Sequence, residues 1–351
     1  MATSSGIVPF IILGIVVIGL ILYVVQSFLE TFGVVKPHKK HFHRKIRKTH
    51  ISNKFKELYT YLENKYLPEI EKHRKKLVSS MIIFSILFSI SFIFYMILIE
   101  KLNISKGRIL GFLFIPPIIY DIYKYKKYNK IYTKNFKEKI LKNFVETINH
   151  TLSYYPDGGK QIINYYLDAN FEDKQFNSFV TDDYIIGRNE NNTKIQMCNI
   201  SLENVSPKGN FQNIVYEGIF SVTKLNTYIT GELRIKNNSF IPKEYNNVKM
   251  DSIEFEKYFD VYSNSNVLAM EILTHDIMEE LVIFYNTYKI NFEIIIKNDN
   301  IYIRFDTGVM FEPNILRKVN DINTLWIYYN VLNFVTNFTI KLNKLLKDLN
   351  I

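Results

Sequence analysis

Residues 182–202, DDYIIGRNENNTKIQMCNISL, decide the fold class. Tyr184–Arg188 and Thr193–Leu202 alternate apolar and polar side chains, the period of a strand with one buried face. The turn-rich Asn189–Asn192 between them predicts a hairpin. Working towards the C-terminus, VYEGIFSV (215–222) and YITGELRI (228–235) repeat the pattern, with Asn226 and Thr227 between them. Val267–Leu273 is expected as a further strand, and 291–297 with 301–306 as a last hairpin across Asn298, Asp299 and Asn300. Thr274 is placed to cap the helix THDIMEELVIFYNTY, with Asp276 in its first turn, where the helix dipole favours an acid. A long helix from about Leu316 to Leu349 ends the pattern. Its uncharged part, TLWIYYNVLNFVTNFTI (324–340), carries Asn and Thr residues that point to packing on the sheet or on a partner. The sum is an α+β fold: a mostly antiparallel β-sheet with flanking helices and a long C-terminal helix.

Towards the N-terminus the pattern changes to uncharged runs. Ile7–Val25 is apolar throughout, and Leu77–Ile99, LVSSMIIFSILFSISFIFYMILI, is the strongest such stretch. As a helix the second would reach roughly 34 Å, enough for a hydrocarbon core of about 30 Å. Ile109–Tyr120 is shorter and holds Pro116 and Pro117. It is expected to cross as the second arm of a hairpin, with a re-entrant course as the alternative. Basic flanks set the orientation. Lys36, Lys39, Lys40, Arg44, Lys45, Arg47 and Lys48 follow the first run, and a lysine-rich stretch including Lys124, Lys126 and Lys127 follows the third. The chain is therefore expected as a transmembrane helix (1–26), a basic juxtamembrane segment with an amphipathic helix (27–76), a transmembrane hairpin (77–123) and a cytoplasmic α+β domain (124–351). The N-terminus then lies outside the cell membrane.

The net charge of +10 is mostly juxtamembrane by this reading. Anionic lipid headgroups attract each such cation by about 1 kcal/mol. Binding of nucleic acid needs a basic face on the folded domain and is not expected. A single cysteine, Cys198, excludes a disulfide within the chain. Its alternation with Ile195, Met197 and Ile200 suggests an exposed thiol.

The run from YYPDGGK (154–160) through DDYIIGR, YEGIF (216–220), residues 250–281 and DNIYIRFDTGVMFEP (299–313) resembles an uncharacterised bacterial membrane family, domain of unknown function 3137. The resemblance covers about residues 145–315. It implies apolar helices ahead of the domain, a membrane-associated partner of LemA type, and no established activity or functional residues.

Few residue groups suggest chemistry. His275 and Glu279 share a helix face, with Asp276 beside them, so an acid/base or metal site there is conceivable; capping and a surface ion pair explain the same residues. His38, His41 and His43 cluster among cations that would repel a metal, and no metal or other cofactor is expected. Gly158-Gly159-Lys160 lacks the first glycine and the hydroxyl residue of a phosphate loop and is read as a turn. Asp182, Asp183, Asp299, Asp306 and Glu312 stand at strand ends and turns without a spacing that converges them. The expected function is non-enzymatic binding or scaffolding at the inner face of a bacterial membrane, with the helices at 51–75 and 316–349 meeting a partner. The alternative is a membrane-bound enzyme with a site near His275.

Overall fold

The computed structural model describes residues 51–101, 115–171, 175–188, 192–207, 211–237, 246–308 and 310–349. The run at 7–25, the basic segment at 36–48 and residues 109–114 of the third run lie outside them. The chain divides into two units, one of Met1–Lys39, Pro68–Lys134 and Pro313–Val319, called the helical unit after its described helices, and a sheet unit of Lys40–Leu67, Asn135–Glu312 and Asn320–Ile351.

In the helical unit, α2 (Leu67–Lys101) contains the whole uncharged run, and α3 (Ile115–Phe136) has Pro116 and Pro117 in its first described turn. Among the described residues, no helix is long and apolar enough to cross a membrane; side chains from Ser91 onward in α2 are outside that description. The segment 313–319 is tied to both helices. Arg74 donates to the Ile315 carbonyl at 2.8 Å and Tyr132 to that of Asn314 at 3.3 Å. Glu71 accepts from Arg74 and from the Val319 N–H.

The sheet unit begins with α1 (Asn53–Lys65), whose N-cap Ser52 accepts the Phe55 N–H. The helix stops at Tyr66 because Pro68 has no N–H to continue it. Its apolar stripe, Phe55, Leu58 and Leu62, is buried. Phe55 packs 4.8 Å from Trp326 and 5.3 Å from Tyr329, ring centre to ring centre. This stripe packs on the sheet unit itself.

Next come a π-helical turn (Lys137–Leu141), α4 (Lys142–Ile148), β1 (Leu152–Tyr155), α5 (Ile162–Ala169), β2 (Ser178–Arg188), β3 (Lys194–Val205) and β4 (Phe211–Asn237). After them come β5 (Asn246–Asn247), α6 (Ile253–Glu256), β6 (Phe259–Ser263), α7 (Asn266–Ile272), α8 (His275–Tyr288), β7 (Phe292–Phe305) and α9 (Ile322–Asp348). Every strand pairing among the described residues is antiparallel, in the order β1-β2-β3-β4-β6-β5, with β7 also on β4.

β7 covers 14 residues and contains a turn. Straight, it would be roughly 45 Å long. Yet the rings of Phe292 and Phe305 lie 5.9 Å apart and Arg304 bonds Glu293 at 2.7 Å. The chain therefore doubles back at Asn298, whose φ is +55°, as the hairpin reading of the sequence expects. One arm (293–297) pairs with the second half of β4 (232–236), the other (300–305) with its first half (219–224). The two halves of β4 thus flank the β7 hairpin, and the pairing register slips between Lys224 and Glu232.

Side chains alternate between two helical covers. On one face Tyr302 and Phe220 pack with Tyr166 of α5 and its neighbours. On the other, Phe305 and Phe292 meet Phe334 of α9, which stacks on Phe284 of α8 at 4.0 Å. α9 is buried at five consecutive positions from Leu325 to Tyr329, the mark of a core helix. It starts at Ile322, capped by Asp321, six residues later than expected. Its apolar side is occupied by the sheet, so it is not a free docking helix.

One element is corrected outright. Val267–Leu273 is not a strand but α7: Ser265 accepts the Leu268 N–H as N-cap, and Leu268, Ala269 and Ile272 are buried at helical spacing. Leu, Ala, Met and Glu favour that helix, which outweighs one valine.

Candidate functional site

β2 carries two adjacent acids in mid-strand, so their side chains must leave the strand on different sides. The backbone resolves this with a bulge: pairing with β3 slips between Asp182 and Ile185, and Asp183 takes φ +56°. Asp183 is thereby sunk into the unit, 1% exposed. Tyr154 of β1 and the Asn199 amide of β3 both donate to it.

Lys137, at the start of the π-helical turn, reaches the same place. Its ammonium lies 2.6 Å from Asp182, 3.2 Å from Asp183 and 2.8 Å from Glu312, and the residue is 4% exposed. π-Turns are rare and often mark working positions in a helix. This one brings inwards a lysine of the basic stretch that follows the third apolar run. Oxygens of the three acids lie within 4.8 Å of one another, a spacing that suits a divalent cation. The ammonium already sits among them, so the arrangement is a lysine-centred ion network and not a metal centre.

Three carboxylates around one ammonium leave an excess of negative charge. Burial pushes the Asp183 carboxyl up to about 8, against the pull of Lys137, with Asp182 and Glu312 adding to the rise. Burial lowers the affinity of Lys137 for its proton, but Asp183, Glu312 and Asp182 together more than reverse this and hold it well above the ordinary lysine value. Burial and the Asp183 charge raise the Tyr154 hydroxyl strongly, so it stays a donor. Near neutrality the cluster therefore holds a proton on Asp183 and a positive charge on Lys137.

The other sequence-derived candidates are placed differently. His275, Asp276 and Glu279 are all exposed at the start of α8. Thr274 is the N-cap by position but its side chain bonds no N–H. Glu280 instead pairs with Lys341 at 2.9 Å. Cys198 is buried, contrary to expectation: its thiol faces the Asp182 carbonyl at 3.1 Å, and burial pushes the thiol up, away from thiolate chemistry. Gly159 has φ +86° and sits where a Cβ would meet that sulfur, which fits the turn reading. Lys126 and Lys127 are exposed on α3 and Lys124 is half-buried.

Residues 214–344 match the family described as protein of unknown function (DUF3137). The match runs from β4 to α9, so it begins later than the resemblance seen in sequence and takes in most of the last helix. Of the cluster it contains Glu312 but not Lys137, Asp182 or Asp183. No curated protein matches the chain. The crystal structure of the mycobacterial trehalose monomycolate transport factor A, TtfA, aligns with 55% of this chain and 92% of its own at 8% identity, with a TM-score of 0.32. A likeness that low carries no argument.

Proposed function

We propose that this chain is a membrane-anchored binding or scaffolding protein, with its sheet unit held at the inner face of a bacterial cytoplasmic membrane. The observation that carries the reading is on α2. Ile82, Ile83, Ile86, Leu87 and Ile90 are all 50–59% exposed, on a helix with no charge between Leu77 and Ile99. Their spacing makes one broad apolar stripe. Water disfavours such a stripe by about 25 cal/mol per Å², whereas lipid tails accept it. Lys72, Lys75 and Lys76 precede it, and Lys126 and Lys127 on α3 are exposed to solvent, as anionic headgroups would require. The LemA-type partner rests on the family resemblance.

Topology is the test. Cys198 is buried and should be silent to maleimide in folded protein. Lys347 is exposed near the end of α9, so Lys347→Cys places a reactive thiol on the sheet unit. Modification by an impermeant maleimide only after the membrane is opened is the expected result. Modification in intact cells would reverse the orientation, and recovery of the unextracted protein in the soluble fraction would end the anchoring proposal.

A further inference from the structure

The Lys137 cluster closes a loop in the chain. Within the sheet unit the segment Asn135–Glu312 enters from the helical unit at one end and leaves for it at the other. Lys137 stands just inside the first passage, and Glu312 is the last residue before the second. Their 2.8 Å ion pair fastens the two ends together.

The fastening is strained at its edge. Phe311, next to Glu312, has φ +67°, a left-handed conformation that a bulky side chain adopts only when its surroundings force it. Such residues gather at switches, where the cost of order 1–3 kcal/mol is held by neighbouring contacts. Asp182 pairs with Asn199 in the sheet and Asp183 lies in the bulge beside it. Glu312 belongs to no helix or strand, and its carbonyl accepts a long bond, 3.4 Å, from Tyr328. Of the three acids it is the one that no strand holds.

We propose that this cluster is a pH-operated latch, which holds Glu312 at neutral pH and below and lets it go in mildly alkaline conditions. The groups that face Asp183 are Lys137 from the π-turn, Tyr154 from β1, Asp182 from β2, Asn199 and the Cys198 thiol from β3, and Glu312. Tyr154 and Cys198 are raised and keep their protons, and Lys137 keeps its charge. The group that changes is Asp183, whose proton passes to solvent. Three ionised carboxylates then share one ammonium. Departure of Glu312 into water relieves the repulsion and frees Phe311 from its left-handed conformation. The chain end at the second passage is loosened while the strands stay paired.

Hydrogen exchange on the full-length protein in detergent micelles tests this, with protection corrected for the intrinsic base-catalysed rate. Between pH 6.5 and 9, protection of residues 306–312 should fall about tenfold or more while that of 292–305 holds. In Asp183→Asn the fall should vanish and the segment should stay protected at pH 9. Glu312→Gln, a change at a partly exposed residue, should likewise remove the pH dependence, and serves if Asp183→Asn does not fold. Protection independent of pH in the unaltered protein, or a fall that survives in either variant, would overturn the latch.

Discussion

Two buried ion networks in the sheet unit use similar parts to opposite ends. Arg304 places two guanidinium nitrogens on one oxygen of Glu293, at 3.0 and 2.7 Å, across the β7 hairpin. Its third nitrogen donates to Tyr166, and Phe171 covers its charge at 4.3 Å. Lys236 stands 3.7 Å from the same carboxylate. Positive charge is in excess there, and a cation can spread it over aromatic faces. The Lys137 cluster has the opposite excess. Carboxylates have no comparable outlet in a buried place, so a proton must supply the balance. A network short of positive charge thus answers to pH, whereas one with charge to spare acts as a fixed brace.

The largest effect that would break the comparison is expected at the lysine. Lys137→Met strands three acids and should cost about 3–5 kcal/mol in denaturant unfolding, more at pH 9 than at pH 6. Arg304→Met should cost less, about 3 kcal/mol, because Lys236 still faces Glu293, and the loss should not change between pH 6 and 9. A pH-dependent loss in Arg304→Met would erase the distinction. The smallest effect is the sharpest. Asp183 has its carboxyl raised to about 8 in the folded state. Between the ordinary aspartate value of about 4 and that point the folded protein holds a proton that the unfolded chain has lost, so stability falls as pH rises through the window. Glu71 of the helical unit works the other way at low pH. Burial opposes its ionisation, but hydrogen bonds from Arg74 and the Val319 N–H lower it, so its contribution is lost as pH falls below the ordinary glutamate range. Asp183→Asn, neutral in both states, should gain stability relative to the unaltered protein as pH rises from 5 to 8 and so flatten the slope over that window. A slope that persists would place the titrating group elsewhere.

Much of the fold is legible in local pattern. The alternation in 182–202 gives the β2–β3 hairpin, and Asn298 gives the turn within β7. α7 is misread because Val267, Leu268 and Ile272 look like strand, while the deciding signal is Ser265 as cap. The apolar stripe of α1 is legible, but what covers it is not: Trp326 and Tyr329 lie far along the chain. The cluster is illegible for the same reason. Lys137 meets an acid 45 residues away, and it looks like one more lysine in a basic run. Only the Asp182–Asp183 pair inside a strand hints at it, since two adjacent acids there cannot both face solvent.

The β7 hairpin also dictates an order of assembly. β1, β2, β3 and the first half of β4 can pair as soon as they are made, and so can the second half of β4 with β6 and β5. These partial sheets have no strand in common along their facing edges until residues 292–305 emerge from the ribosome and fill the gap. During synthesis each waits with one edge unpaired, the state in which strands recruit the wrong neighbour. For this chain those strand edges close only when Phe305 has been delivered.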